Sequence, residues 1–183
     1  MAWLEGNLPE DAIIANGAGN FAVWMHRYHR SRRFNTQAAP TSGSMGYGMP
    51  AGVAAKLMNP SREVIVWAGD GDFMMHGQEF ATALQYDANV IVVILNNGIY
   101  GTIRMHQERE YPGRVSGTTL RNPDFAALAR AYGGHGETVQ TTAEFAPAFE
   151  RARASGKPSI IEVRLDPEAI TPTRTLTQIR EKA

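Results

Sequence analysis

Residues 63–72 read EVIVWAGDGD, an apolar run that ends in a Gly-Asp-Gly-Asp turn. The Val and Ile residues follow one another without polar alternation, which is typical of a parallel strand covered on both faces. Residues 89–95 (NVIVVIL) have the same character and end at Asn96 and Asn97. A helical pattern at residues 77–86 separates the two runs. Two neighbouring parallel strands joined by a helix are therefore predicted.

The same alternation extends over the rest of the chain. Strands are predicted at residues 11–18 and 159–165, with a short one possible at 137–140. Helices are predicted at residues 21–29, 46–58, 77–86, 123–132 and 142–154, and Asn122 is expected to cap the fourth. This order predicts a doubly wound α/β fold with a mainly parallel sheet and helices on both faces. The Thr-rich tail from Pro167 is expected to be an irregular extension over a neighbour.

The amino-acid composition argues against several classes of function. The 183 residues are 43% hydrophobic and 20% charged, and 18 basic residues balance 18 acidic ones. Balanced charge favours neither nucleic acid nor membrane, and the absence of cysteine excludes disulfides and thiolate metal sites. The first residues resemble neither a signal peptide nor a transit peptide, so a cytoplasmic protein is expected.

Asp70 and Asn97 follow the two central strands, where open α/β sheets bind ligands. Their carboxylate and amide oxygens are hard ligands suited to Mg²⁺, which also takes water and phosphate oxygens. The N–H groups of Gly71 and Asp72 could hold a phosphate at the start of a helix. Taken singly, each motif is more often a plain turn. A calcium-binding hand fails, because Met75 and Ala81 occupy its sixth and twelfth positions.

Two glycine-rich stretches are candidate binding sites. Residues 43–52 (GSMGYGMPAG) open a helix of small residues, and Met45 could pack under an aromatic ring, although a core Met is favoured on this pattern alone. Residues 17–22 (GAGNFA) match a dinucleotide-binding pattern, but no acid lies between Asp11 and Glu63 to bind a ribose. The nicotinamide interpretation is therefore rejected in favour of a tight turn.

The histidine and arginine residues are weaker candidates for a functional site. The basic run at residues 26–33 is interpreted as a solvated face or subunit contact rather than a nucleic-acid patch. His76 and His106 lack the spacing of metal ligands. The glycine-rich helix from Gly46 and residues 73–75 (Phe-Met-Met) are candidates for a subunit contact, with a core position as the alternative for the latter three.

In combination these motifs resemble the thiamine-diphosphate (ThDP) enzymes, closest to the acetolactate synthase catalytic subunit. The resemblance rests on residues 69–71 (GDG), 95–98 (LNNG), 43–52, 78–83 (QEFATA) and 122–125 (NPDF), with 131–133 (AYG). It covers residues 8–166 and implies that residues 1–166 are the C-terminal, diphosphate-binding domain, with 167–183 an extension.

The resemblance implies roles for individual residues. Asp70 and Asn97, with the carbonyl of Ile99, would bind Mg²⁺. Met45 and Gly43 would hold the cofactor in its bent, catalytic shape. The implied cofactor contacts are Gly43, Ser44, Met45, Gly69, Asp70, Gly71, Asp72, Asn97, Ile99, Tyr100 and Gly101.

The implied reaction is decarboxylation of a 2-oxo acid such as pyruvate and its joining to a second 2-oxo acid, as in branched-chain amino acid biosynthesis. Ile103 stands where acetaldehyde-releasing decarboxylases carry Glu, and His106 where acetolactate synthases usually carry Trp. A related decarboxylase or carboligase, or a non-catalytic interaction domain, therefore stays open. The family's activating Glu comes from a pyrimidine-binding domain, so this chain is expected to be a fragment or a split subunit within a homo-oligomer.

Overall fold

The computed structural model describes residues 1–182. Its centre is a six-stranded sheet in the order β2-β1-β3-β4-β6-β5, and every neighbouring pair is parallel. The strands are β1 (Ile13–Asn16), β2 (Gln37–Ala38), β3 (Val64–Gly69), β4 (Ile91–Asn96), β5 (His135–Val139) and β6 (Ser159–Arg164). The five strands expected from the sequence are confirmed, and the short edge strand β2 was not anticipated.

Helices connect the strands and cover both faces of the sheet. They are α1 (Ala2–Asn7), α2 (Asn20–Tyr28), α3 (Gly48–Met58), α4 (Asp70–His76), α5 (Phe80–Gln85), α6 (Gly101–Glu110), α7 (Phe125–Tyr132), α8 (Thr142–Ala154) and α9 (Leu176–Arg180). A 3₁₀ turn, Gly77–Glu79, joins α4 to α5. None of the helices described over residues 1–182 is long and apolar enough to cross a membrane.

Two apolar layers form the core, one on each face of the sheet. On one face, Val66 and Val92 pack with Phe73, Phe80 and Phe125 from α4, α5 and α7. On the other face, side chains such as Ile65, Val93 and Ile161 pack against α1, α2 and α8. Strand residues thus point alternately to two buried layers, which confirms the doubly wound fold and explains the uninterrupted Val/Ile runs.

Two helices begin later than the sequence suggested. The predicted helix at 46–58 begins at Gly48, because Gly46 has a φ of +79°, which a right-handed helix excludes. The predicted cap of α7 at Asn122 is wrong. Asp124 is the N-cap instead, and its Oδ1 accepts a hydrogen bond from Ala127 N–H at 2.8 Å.

The C-terminal segment corrects another expectation. Residues 167–182 are not wholly irregular, since they contain α9 and pack on α6 of the same chain. Ile170, Leu176 and Ile179 are buried against Ile99 and Met105. The packing fixes the segment beside the start of α6, at the carboxyl edge of the sheet.

A buried acid fastens this segment, and we call it with its partners the Glu108 cluster. Glu108 is 1% exposed and pairs with Arg104 of α6 at 2.6 Å and with Arg180 of α9 at 2.8 Å. Its Oε2 also accepts a hydrogen bond from Gly113 N–H at 2.9 Å. The hydrogen bonds from Arg180 lower the pKa of the Glu108 carboxyl to about 2, against the opposing effect of burial.

Candidate functional site

A cleft of about 250 Å³ opens at the carboxyl edge of the sheet. Its walls come from the segments that follow β1, β3 and β4, together with the glycine-rich loop before α3 and the C-terminal segment. Open α/β sheets bind ligands at this edge. The fold therefore brings into one cleft residues that lie far apart in sequence.

Nearly all of the predicted site residues meet there. The predicted residues that line the cleft are Gly43, Met45, Gly69, Asp70, Gly71, Asp72, Asn97, Ile99, Tyr100 and Gly101. Ser44 is the exception. It is exposed and its hydroxyl lies 3.0 Å from that of Ser42, so it does not contribute to the wall.

Asp70 is the buried acid at the floor of the cleft. It opens α4 directly after β3 and is 3% exposed. Its Oδ2 accepts hydrogen bonds from Asn122 Nδ2 at 2.6 Å and Gly98 N–H at 2.9 Å, and neither engages Oδ1. Burial raises the pKa of the Asp70 carboxyl, while these hydrogen bonds act to lower it. A cation at the cleft would compensate the buried charge.

Asn97 and Ile99 add two neutral oxygens beside it. Asn97 follows β4, which pairs with β3 in the register Gly69 to Leu95. Its Oδ1 accepts a hydrogen bond from Ile99 N–H at 3.2 Å. Ile99 forms an antiparallel bridge with Thr119, and the bonds of that bridge join Tyr100 to Thr118 and Leu120 to Gly98. The bridge therefore leaves the Ile99 carbonyl oxygen uncommitted.

This donor set fits a hard divalent cation that keeps positions for outside ligands. One carboxylate, one amide and one carbonyl supply oxygen only, as Mg²⁺ prefers. Within residues 1–182, no group of three or more His, Asp or Glu side chains could hold a metal by itself. A cation here would need further oxygens from water or a phosphate.

Asp72 has a different environment two residues later. It is 3% exposed, and its Oδ1 accepts hydrogen bonds from Gly46 N–H at 2.9 Å and Ala18 N–H at 3.1 Å. Burial raises the pKa of Asp72 to about 6, while the two backbone hydrogen bonds and nearby His76 act to lower it. The side chain thus joins three walls of the cleft: the start of α4, the glycine-rich loop and the turn after β1.

Three helices begin at the wall of the cleft. The cleft is lined by Gly19 and Asn20 at the start of α2, Asp70 and Gly71 at α4, and Gly101 at α6. The first N–H groups of a helix have no partner within it and attract anions. At Gly71 a Cβ would lie 2.5 Å from the Tyr100 ring, so only glycine brings this backbone to the cleft wall.

The turn after β1 was missed as part of the site. Ala18, Gly19, Asn20, Phe21 and Trp24 line the cleft, although the sequence pattern at residues 17–22 predicted only a tight turn. Asn20 N–H donates to Thr102 Oγ1 at 3.0 Å, which links α2 to α6 across the cleft. The sequence did indicate this role, because the glycine-containing turn follows a predicted strand, as the Asp70 turn does.

Other candidates lie elsewhere. In the basic run, Arg32 pairs with Glu5 at 3.2 Å and Arg33 with Glu10 at 3.7 Å, so its charge is partly balanced locally. Phe73 belongs to the core, which corrects its assignment to a subunit contact, whereas Met74 and Met75 are 51% and 42% exposed. Neither His76 nor His106 lines the cleft.

Comparison with known proteins agrees with this geometry. Residues 17–163 match the family described as thiamine pyrophosphate enzyme, C-terminal TPP binding domain. The chain is 36% identical over 176 residues to the acetolactate synthase large subunit IlvG of Mycobacterium tuberculosis, covering 95% of this chain and 32% of that protein. It is 33% identical over 167 residues to the large subunit of acetolactate synthase isozyme 2 of Escherichia coli, covering 89% and 30%.

A solved structure is similar in fold and sequence. The thiamine diphosphate-dependent 4-hydroxybenzoylformate decarboxylase of Rhodococcus jostii RHA1 matches with a TM-score of 0.82 and 34% identity, over 90% of this chain and 31% of that one. The chain therefore spans about a third of the length of the relatives it matches.

Proposed function

Because the chain belongs to the thiamine pyrophosphate enzymes, as their C-terminal TPP-binding domain, we propose that its cleft binds Mg²⁺ and the diphosphate of thiamine diphosphate. One observation carries the proposal: three helix starts and the residues Asp70, Asn97 and Ile99 line a single cleft. Helix N-termini favour the anionic diphosphate, and hard oxygens favour the cation that accompanies it.

The residues divide between the two ends of the cofactor. We assign Asp70, Asn97 and the Ile99 carbonyl to the metal, and the backbone N–H groups of Gly71 and Asp72 to the diphosphate. The remaining backbone contacts fall to Gly69, Tyr100 and Gly101, which line the same wall. Met45 and the Gly43 carbonyl, on the opposite loop, are assigned to the ring end. When bound, thiamine diphosphate supplies the electron sink that lets a 2-oxo acid lose carbon dioxide.

A second domain completes the site in this proposal. The acid that activates the ring is not assigned to Glu79, since Glu79 does not line the cleft and its Oε2 accepts a hydrogen bond from Thr82 at 2.7 Å. A pyrimidine-binding domain of the same or another chain supplies it. The exposed Tyr47, Met74 and Met75 beside the glycine-rich loop are the proposed contact within a homo-oligomer.

For the reaction we propose acetolactate formation from pyruvate, as the names of the similar large subunits suggest. A second candidate is decarboxylation of an aromatic 2-oxo acid without joining. The resemblance to the Rhodococcus decarboxylase favours it, and so do the aromatic side chains of Phe21 and Trp24 in the cleft. Reconstitution with a pyrimidine-binding domain, followed by product analysis with pyruvate and with benzoylformate, separates the two.

Calorimetry with Mg²⁺ and thiamine diphosphate tests the binding proposal. Asp70→Ala should weaken binding at least tenfold, because it removes the charged ligand of the cation. Asp11→Ala is a matched control at the opposite edge of the sheet and should bind as the parent does. Equal affinity of Asp70→Ala and the parent would end the proposal. We expect the chain alone to catalyse nothing, and pyruvate turnover by it would contradict the need for a second domain.

A further inference from the structure

A row of hydrogen-bonded side chains runs from Asp70 away from the cleft and into the sheet. It passes from Asp70 to Asn122, then to Asn96 and Glu162. We infer that Asn122 is a positioning residue of the metal site, which holds the Asp70 carboxylate in the orientation that binds the cation. The inference rests on the proposed function, because it requires Asp70 to be a metal ligand.

Glu162 determines the direction of the row. It lies on β6 with no exposed surface, and its Oε1 accepts a hydrogen bond from Asn96 Nδ2 at 2.5 Å. The Glu162 oxygen accepts this hydrogen bond, so Asn96 turns its amide nitrogen towards Glu162. Its Oδ1 consequently faces the cleft side, where it accepts from Gly98 N–H at 3.1 Å and Asn122 Nδ2 at 2.9 Å.

Asn122 therefore meets two acceptors with one nitrogen. Its Nδ2 donates to Asp70 Oδ2 at 2.6 Å and to Asn96 Oδ1 at 2.9 Å, which uses both of the hydrogens on that atom. A hydroxyl has one hydrogen and an ionised carboxylate has none, so neither Ser nor Asp could satisfy both acceptors. An asparagine is the side chain that this geometry requires.

The backbone brings Asn122 to this place. Leu120 N–H donates to Gly98 O at 2.8 Å, and Tyr100 N–H donates to Thr118 O at 2.9 Å. The segment before Asn122 is thus paired with the loop that contains Asn97 and Ile99. Any movement of this segment would shift the ligand loop and the Asp70 partner together.

The far end of the row is anchored. Thr138 Oγ1 donates to Glu162 Oε2 at 3.2 Å, and Arg164 pairs with Glu162 at 3.0 Å. The anchor spans β5 and β6, whereas Asp70 directly follows β3 and Asn96 ends β4. Four strands of the rigid sheet therefore determine the position of one carboxylate, and loss of such an outer partner typically weakens metal affinity 10- to 100-fold, as an order of magnitude.

The test measures Mn²⁺ as a magnetic substitute for Mg²⁺ in the presence of saturating thiamine diphosphate. Electron paramagnetic resonance of free Mn²⁺ gives the dissociation constant for the parent, Asn122→Ala and Asp70→Ala. We expect Asn122→Ala to raise the Mn²⁺ dissociation constant about tenfold. At saturating Mn²⁺, the affinity of Asn122→Ala for thiamine diphosphate should equal that of the parent.

Asp124→Ala is the matched control. It removes the cap of α7 only two residues away, so it should lower the melting temperature and leave the Mn²⁺ dissociation constant unchanged. Equal Mn²⁺ dissociation constants for Asn122→Ala and the parent would overturn the inference, as would the same loss in Asn122→Ala and Asp124→Ala. In both cases, weaker Mn²⁺ binding by Asp70→Ala would leave the proposed function intact. If Asp70→Ala bound Mn²⁺ as the parent does, the proposed function itself would be wrong.

Discussion

The cleft and the C-terminal segment each contain a buried acid, and the pKa values of the two acids move in opposite directions. Asp72, in the cleft wall, accepts only backbone N–H groups in the hydrogen bonds to its side chain, and burial raises its pKa to about 6. Glu108, beneath α9, is joined to Arg180 and Arg104, and its pKa falls to about 2. Both side chains are almost fully buried. The nearest charges, rather than burial alone, decide which form of each acid the fold favours.

The difference separates an ion pair that supports the fold from an acid held in place for the cleft. The Glu108 cluster stabilises the docking of α9, because its charges are matched. Burial of the Asp72 charge has a desolvation cost, which the hydrogen bonds from the Gly46 and Ala18 N–H groups only partly offset. The same two hydrogen bonds hold Gly46 and Ala18 in place. Strained or costly groups of this kind are concentrated at binding sites. Three substitutions test this contrast.

The largest effect is expected at Glu108. Glu108→Ala leaves Arg104 and Arg180 without their shared partner, and removing one member of a buried pair costs about 3 kcal/mol. The free energy of unfolding from urea denaturation should fall by that amount, with lost hydrogen-exchange protection in α9. Glu110→Ala is the control, because its side chain is exposed and pairs only with the exposed Arg109. A Glu108→Ala chain as stable as Glu110→Ala would show that the cluster does not support the fold.

A pH-dependent effect is expected at Asp72. The raised pKa means that Asp72 binds its proton more tightly in the folded chain than in the unfolded chain. The stabilising contribution of protonated Asp72 is therefore fully present below about pH 3.8 and is lost as pH rises through about 6. Asp72→Asn does not titrate. The free energy of unfolding of Asp72→Asn minus that of the parent should therefore rise by about 2 kcal/mol between about pH 4 and pH 7.

Urea denaturation of both chains across this pH range checks the sign. The contribution of Glu108 has the opposite sign: it is present above about pH 4.5 and is lost as pH falls through about 2. A difference between Asp72→Asn and the parent that falls with rising pH would contradict the contrast.

The smallest effect is expected at Arg180. Its side chain is 38% exposed, and Arg104 still pairs with Glu108 after Arg180→Ala. The loss should be about 1 kcal/mol, seen as faster hydrogen exchange in α9 with little change in the rest of the chain. Arg174→Ala, at an exposed position before α9, should leave the exchange of α9 unchanged. Exchange in α9 that is equally slow in Arg180→Ala and the parent would locate the docking energy in Ile170, Leu176 and Ile179 instead.

The sheet and the centre of the site were predictable from the sequence, because both depend on local patterns. The uninterrupted runs that became β3 and β4 can only be parallel strands buried on both faces or buried helices, and their length favours strands. Asp70 and Asn97 follow these strands directly. The order of strands then places them at one edge without any knowledge of distant contacts.

Features that depend on tertiary contacts could not be predicted from the sequence. Asn122 was expected to cap α7, but the cap falls on Asp124, since Asn122 is engaged by Asp70 and Asn96. The short α9 gains its stability from packing on α6, which a five-residue pattern does not reveal. Likewise the turn at Ala18 became a wall of the cleft through Asp72, which lies 54 positions later.

The contacts that close the cleft join residues far apart along the chain, with separations of 54 positions between Ala18 and Asp72, 52 between Asp70 and Asn122, and 72 between Glu108 and Arg180. The parallel strands pair over similar separations, as Ile13 with Val64 and Ile91 with Ser159 show. The cleft residues follow the ends of these strands, so no pocket exists until the sheet has formed. A molecule that binds in the cleft then acts after the rate-limiting barrier, so we expect it to slow unfolding while the rate of folding stays the same.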